Sequence, residues 1–117
     1  MYSHVRLDDV DAVDVSGLDP DAFPVGYELR PDRLRPTVWS YEAGESNRLH
    51  YQQEQEELYV VLEGEFELEV DGETVALARN SFVAVEPAAK RRLTALTDGT
   101  VLVIGAPNVK DDGVPVE

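Results

Sequence analysis

The stretch Gly44-Glu45-Ser46-Asn47-Arg48-Leu49-His50-Tyr51-Gln52-Gln53-Glu54-Gln55-Glu56-Glu57-Leu58-Tyr59-Val60-Val61-Leu62-Glu63-Gly64 decides the fold. Leu49 to Gln52 reads as a short strand, and because strand side chains alternate between faces, His50 and Gln52 share one side. A polar loop follows. The next strand begins at Glu57, so three polar side chains from two strands converge on one interior. Within the acidic run, Glu54 and Glu56 belong to solvent, and Glu57 alone has the spacing to turn inward. Leu58 to Leu62 is apolar on both faces, which predicts cover on both sides: the core inside, and the N-terminal arm or a second subunit outside.

Downstream the same period continues. Glu65 to Val70 alternates, with Phe66, Leu68 and Val70 facing in and Glu65, Glu67 and Glu69 facing water. Asp71-Gly72 has the chemistry of a two-residue hairpin, and Thr74 to Leu77 returns from it. Arg79-Asn80 makes another turn before Ser81 to Val85, which Pro87 ends. Arg92 to Leu96 and Thr100 to Ile104 flank an Asp98-Gly99 turn, while upstream Thr37 to Tyr41 ends at Ala43-Gly44. Short strands separated by turn residues roughly every 8 to 12 positions predict an all-β sandwich or barrel over residues 37–107. Residues 1–36, rich in Asp and Pro, read as an N-terminal arm packed on that barrel, with strands or a helical turn near Asp19 to Phe23. Residues 108–117 read as an acidic C-terminal tail, expected to be mobile.

The 117 residues carry 24 acidic and 10 basic side chains, a net charge of −14, and the only lysines are Lys90 and Lys110. A chain so acidic lacks the basic face that phosphate neutralisation requires, which argues against nucleic acid as a partner. Scarce lysine with abundant carboxylate resembles the usage of halophilic archaea, whose molar salt screens self-repulsion within a few Å. No apolar run approaches the ~18 residues of a membrane helix, and the first twenty residues hold Asp8, Asp9, Asp11, Asp14 and Asp19 instead of a signal core. These features predict a soluble cytoplasmic protein. The absence of cysteine removes disulfides, thiolate metal sites and cysteine nucleophiles together.

The quoted segment resembles the first motif of the cupin superfamily: glycine, five residues, His-x-His, three or four residues, glutamate, six residues, glycine. Gly44, His50, Glu57 and Gly64 fall on that pattern, with Gln52 where the second histidine is expected. The second motif is matched less fully. Asn80-Ser81 replaces its Gly-Asp turn, Pro87 keeps its proline, Ala89 replaces a glycine, and Arg92 falls on its histidine. The resemblance implies a cupin-type double-stranded β-helix, a jelly-roll barrel, and a metal site of three histidines and a glutamate. By position this chain offers His50, Gln52 and Glu57 as ligands. Arg92 is permanently protonated, so it donates no lone pair to a metal.

Three functions follow as expectations. In the first, the barrel binds a small anionic ligand through His50, Gln52, Glu57, Tyr59 and Arg92, with His50 and Gln52 as hydrogen-bonding groups and Arg92 as the ligand's counter-ion; in place of a metal, Arg92 pairs across the pocket with Glu57. Arg48 or Arg35 at the mouth adds bidentate recognition of a carboxylate or phosphate. In the second, the protein is a cupin enzyme. Its chemistry is either of metal-dependent dioxygenase or isomerase type at His50, Gln52 and Glu57, or metal-free proton abstraction with His50 as base and Glu57 orienting it. In the third, it is a structural or stress-associated homodimer with a vestigial pocket, joined through Leu58 to Leu62. Fold alone does not choose among them.

Overall fold

The computed structural model describes residues 1–15 and 17–116. Two antiparallel sheets face each other. The first is built from β1 (Val13–Asp14), β2 (Asp21–Phe23), β3 (Arg35–Tyr41), β5 (Glu56–Glu63), β8 (Phe82–Val85) and β10 (Gly99–Ala106), in the order β1-β2-β3-β10-β5-β8. The second holds β4 (His50–Gln52), β6 (Phe66–Val70), β7 (Glu73–Leu77), β9 (Arg91–Ala95) and β11 (Gly113–Pro115), in the order β11-β4-β9-β6-β7. This is the jelly-roll arrangement.

Alternation places the core between the sheets. Phe66 and Leu68 from β6, Leu93 and Ala95 from β9, Tyr59 and Val61 from β5, and Val101 and Val103 from β10 are all buried there. Tyr41 of the first sheet meets Phe66 of the second edge to face, with ring centroids 5.3 Å apart and an 89° interplanar angle. Asp71 and Gly72 both take positive φ, 47° and 86°, as the two-residue turn between β6 and β7 requires. Asn80 does the same at φ 71° before β8.

The arm adds β1 and β2 to the edge of β3, and the one-turn helix α1 (Val25–Leu29) also packs on β3. On the far part of that sheet's outer face, Leu62 and Phe82 stay exposed, Phe82 at 68%. The tail differs from its expected mobility. Asp112 is buried, and its carboxylate accepts the backbone N–H of Glu54 at 2.9 Å and of Gln55 at 2.7 Å. That clamp lays β11 along β4, pairing Gly113 with Gln52 and Pro115 with His50. Among the described residues no helix is long and apolar enough to cross a membrane.

Candidate functional site

At one end of the barrel the two sheets part around a cavity of about 260 Å³. Trp39 and Tyr41 of β3, Glu57 and Tyr59 of β5 and Val103 of β10 form one wall, while Asn47, Arg48 and His50 form the opposite one. The mouth is completed by Leu18 from the arm and by Gly113 and Pro115 from the tail. Sequence periodicity pointed to none of these three mouth residues.

The His50 wall is fixed by backbone pairing. The Asn47 side chain accepts the N–H of Leu93 at 2.8 Å, the Asn47 N–H donates to the Leu93 carbonyl, and Ser46 bridges to Thr94, so the loop before β4 is pinned to β9. His50 Nδ1 lies 2.7 Å from the Arg48 carbonyl oxygen. A carbonyl only accepts, so Nδ1 carries the hydrogen and the lone pair of the neutral ring sits on Nε2. The Arg48 guanidinium rests against the arm, where a Cβ on Gly17 would lie 2.6 Å from Nη2.

Arg92 does not enter the cavity. It is exposed on the outer face of β9, opposite Glu69 of β6, and borders a shallow surface depression with Ser46, Arg48 and Leu49. Its neighbour Arg91 turns inward instead, because β9 alternates with Arg91, Leu93 and Ala95 on the core side, and Arg91 is wholly buried. The register sets Arg91 directly opposite His50 on the adjacent strand. Arg91 Nη1 donates to the carbonyls of Pro87, at 2.9 Å, and Ala89. Nη2 lies 3.2 Å from Glu57 Oε1, an ion pair by distance, yet among the described residues neither Nη2 nor Nε finds a hydrogen-bond partner. The same Glu57 oxygen accepts the Tyr59 hydroxyl at 3.1 Å. The cross-pocket pair expected of Arg92 and Glu57 is therefore made by Arg91.

Gln52 is buried beside Gly113 of the tail, its carboxamide 3.5–3.6 Å from where a Cβ there would stand, and it is not among the described residues lining the cavity. Glu57 does not orient His50; the Arg48 carbonyl does. These positions do not fit a divalent ion. The Glu57 carboxylate faces a buried permanent cation at 3.2 Å, and among the described residues no three His, Asp or Glu side chains gather as a ligand set.

Both cavity tyrosines stay protonated. Burial pushes the Tyr41 phenol well above its ordinary value of 10.0, and the negative charges of Glu45 and Glu57 add to the effect. Burial likewise raises Tyr59, with the Glu57 charge adding and Arg91 partly opposing. The folded state thus holds these protons more tightly than the unfolded chain, so the stability they contribute is complete below pH 10 and lost as the pH climbs beyond it. In an alkaline titration followed by tyrosinate absorbance, two of the five tyrosines are expected to ionise only as the fold is lost. Ionisation of all five with native circular dichroism retained would contradict the burial.

A family profile described as a cupin domain matches residues 37–105. No curated protein matches the chain. Among solved structures, the polyketide cyclase RemF from Streptomyces resistomycificus aligns at TM-score 0.82 and 19% identity, over 100% of this chain and 87% of that one. KdgF from Halomonas sp. aligns at TM-score 0.76 and 20% identity, over 89% and 92%. A predicted oxalate decarboxylase from Thermotoga maritima aligns at TM-score 0.79 and 15% identity, over 89% and 98%. At these identities the likeness concerns the fold.

Proposed function

The chain belongs to the cupin family, and from that premise we propose that its barrel binds a small organic anion with an apolar or aromatic body. The observation that carries this reading is the burial of Arg91 against Glu57. That pair leaves the inner end of the cavity with compensated charge, so the cation offered to a ligand at the rim is Arg48, which makes no ion pair among the described residues. Trp39, Tyr41, Tyr59 and Val103 supply flat apolar contact, which suits a ring or a short chain. The ligand's carboxylate meets Arg48, and its body lies between the aromatic wall and His50. This keeps the anionic ligand expected from the sequence and moves its counter-ion from residue 92 to residue 48.

Trp39 is the only tryptophan and lines the cavity, so its fluorescence reports occupancy directly. Phenylpyruvate is expected to quench it, and the neutral methyl ester of the same acid to bind about tenfold more weakly, the scale of one charge-assisted contact. Arg48→Gln should remove most of that difference. Equal affinity of acid and ester, or no change in Trp39 emission with either, would sink the proposal.

A further inference from the structure

We infer that the cavity is a proton-transfer site for a carbon acid, with His50 Nε2 as the base. The inference rests on the anion-binding reading above and goes beyond it by naming a reaction. Its first support is the tautomer. The Arg48 carbonyl takes the Nδ1 hydrogen at 2.7 Å, so the free lone pair of the ring is on Nε2, and His50 lies on the cavity wall.

The second support is the state of the other basic group in the cavity. Glu57 Oε1 already accepts the Tyr59 hydroxyl at 3.1 Å and faces the Arg91 guanidinium at 3.2 Å. It is committed to structure, whereas His50 Nε2 has no partner among the described residues. The third is position. His50 stands on one sheet and Glu57 and Tyr59 on the other, so a ligand held by its carboxylate at Arg48 lies against the imidazole. The same short segment thus supplies both the hydrogen bond that orients the base, from the Arg48 carbonyl, and the cation that meets the developing negative charge, from the Arg48 guanidinium.

The step is an enolisation. The C–H bond next to a carbonyl breaks and its proton forms the Nε2–H bond. The electron pair moves through the carbon–carbon bond onto the carbonyl oxygen, giving an enolate whose charge Arg48 stabilises. Return of the proton from the imidazolium to carbon closes the cycle, and atoms and electrons balance without a co-reactant. In deuterium oxide the Nε2 hydrogen exchanges with solvent at the mouth, so the carbon recovers deuterium instead.

The test is exchange of the benzylic hydrogens of phenylpyruvate in deuterium oxide, followed by proton magnetic resonance, with binding read in parallel from Trp39 emission. The protein is expected to accelerate exchange over buffer. His50→Gln is expected to lower that acceleration about a hundredfold or more at saturating phenylpyruvate, with occupancy of the variant read separately from Trp39 emission. His50→Asn, whose shorter amide still carries a hydrogen for the Arg48 carbonyl, is the second variant and should lose the same activity. Binding without accelerated exchange overturns the proton-transfer inference and leaves the binding reading standing. Failure to bind overturns both. Undiminished exchange in either folded His50 variant removes His50 as the base.

Discussion

Replacing Arg91 with alanine is expected to destabilise the fold by about 3–5 kcal/mol, because it leaves a partly buried carboxylate without its counter-ion. At about 4 °C per kcal/mol for a domain of this size, the melting temperature falls by roughly 12–20 °C. Arg91 is wholly buried and the Glu57 side chain is 12% exposed, so little water is at hand to take over. Glu57 would keep only the Tyr59 hydroxyl. Glu57→Ala should be severe for the converse reason, a guanidinium left with two backbone carbonyls for its charge.

The pair itself is expected to be a weak net stabiliser. Two Arg91 nitrogens, Nε and Nη2, find no hydrogen-bond partner among the described residues, and each unmet buried donor costs about 1–3 kcal/mol. Replacing both partners by methionine removes the charges and those unmet donors at similar volume. The double variant is therefore expected to be more stable than either alanine single, with thermal unfolding as the measure. If it is instead as unstable as the two single losses added together, the account in terms of an unpaired charge is wrong.

Arg91 also shows where the sequence stopped being legible. Two arginines stand side by side at the start of β9, and only one of them faces inward. The parity was available two and four residues on, in Leu93 and Ala95, but the motif's spacing pointed to residue 92. A one-residue slip in a strand exchanges the two faces completely, so an error of one in alignment turned an exposed residue into a pocket residue. Where alternation and spacing coincide they read well: His50, Glu57 and Tyr59 all lie on the cavity wall, and Phe66 and Leu68 lie in the core.

The mouth was not legible for a different reason. Leu18, Gly113 and Pro115 come from segments without sustained period, and their places are set by contacts between distant parts of the chain. The deciding one is the carboxylate of Asp112 on the N–H groups of residues 54 and 55, nearly sixty positions away in the chain. In the sequence Asp112 is one more acid in an acidic tail. Only the backbone donors of the β4–β5 loop make it a buried anchor, and strand pairing by β11 follows from that anchor. Gln52 fails as a cavity residue by the same route, since the tail strand pairs beside it and its carboxamide is buried against Gly113.

The two motif glycines allow a sharper test of how the fold is held. Gly44 and Gly64 have almost the same φ, +88° and +87°, a conformation that costs a residue bearing a Cβ about 1–2 kcal/mol. They differ in space. Nothing lies within 4 Å of a Cβ built on Gly44, whereas one on Gly64 would stand 2.5 Å from the Asp98 carbonyl oxygen and 2.8 Å from the Gly99 Cα. Both of those are backbone atoms. Gly99 itself is hemmed in, since a Cβ there would stand 2.7 Å from the Glu63 carbonyl oxygen and 2.8 Å from the Phe66 ring. Gly44→Ala is therefore expected to cost the conformational term alone, and Gly64→Ala that term plus about 1–3 kcal/mol for forcing two turns apart. Denaturant midpoints measure the difference, and equal losses would mean that the second turn yields freely. Gly64 follows the end of β5, seven residues on from Glu57, about 23 Å at the usual rise of a strand. The Gly64 variant should therefore keep the wild-type ligand affinity at Trp39 wherever it remains folded, separating what holds the barrel from what its cavity recognises.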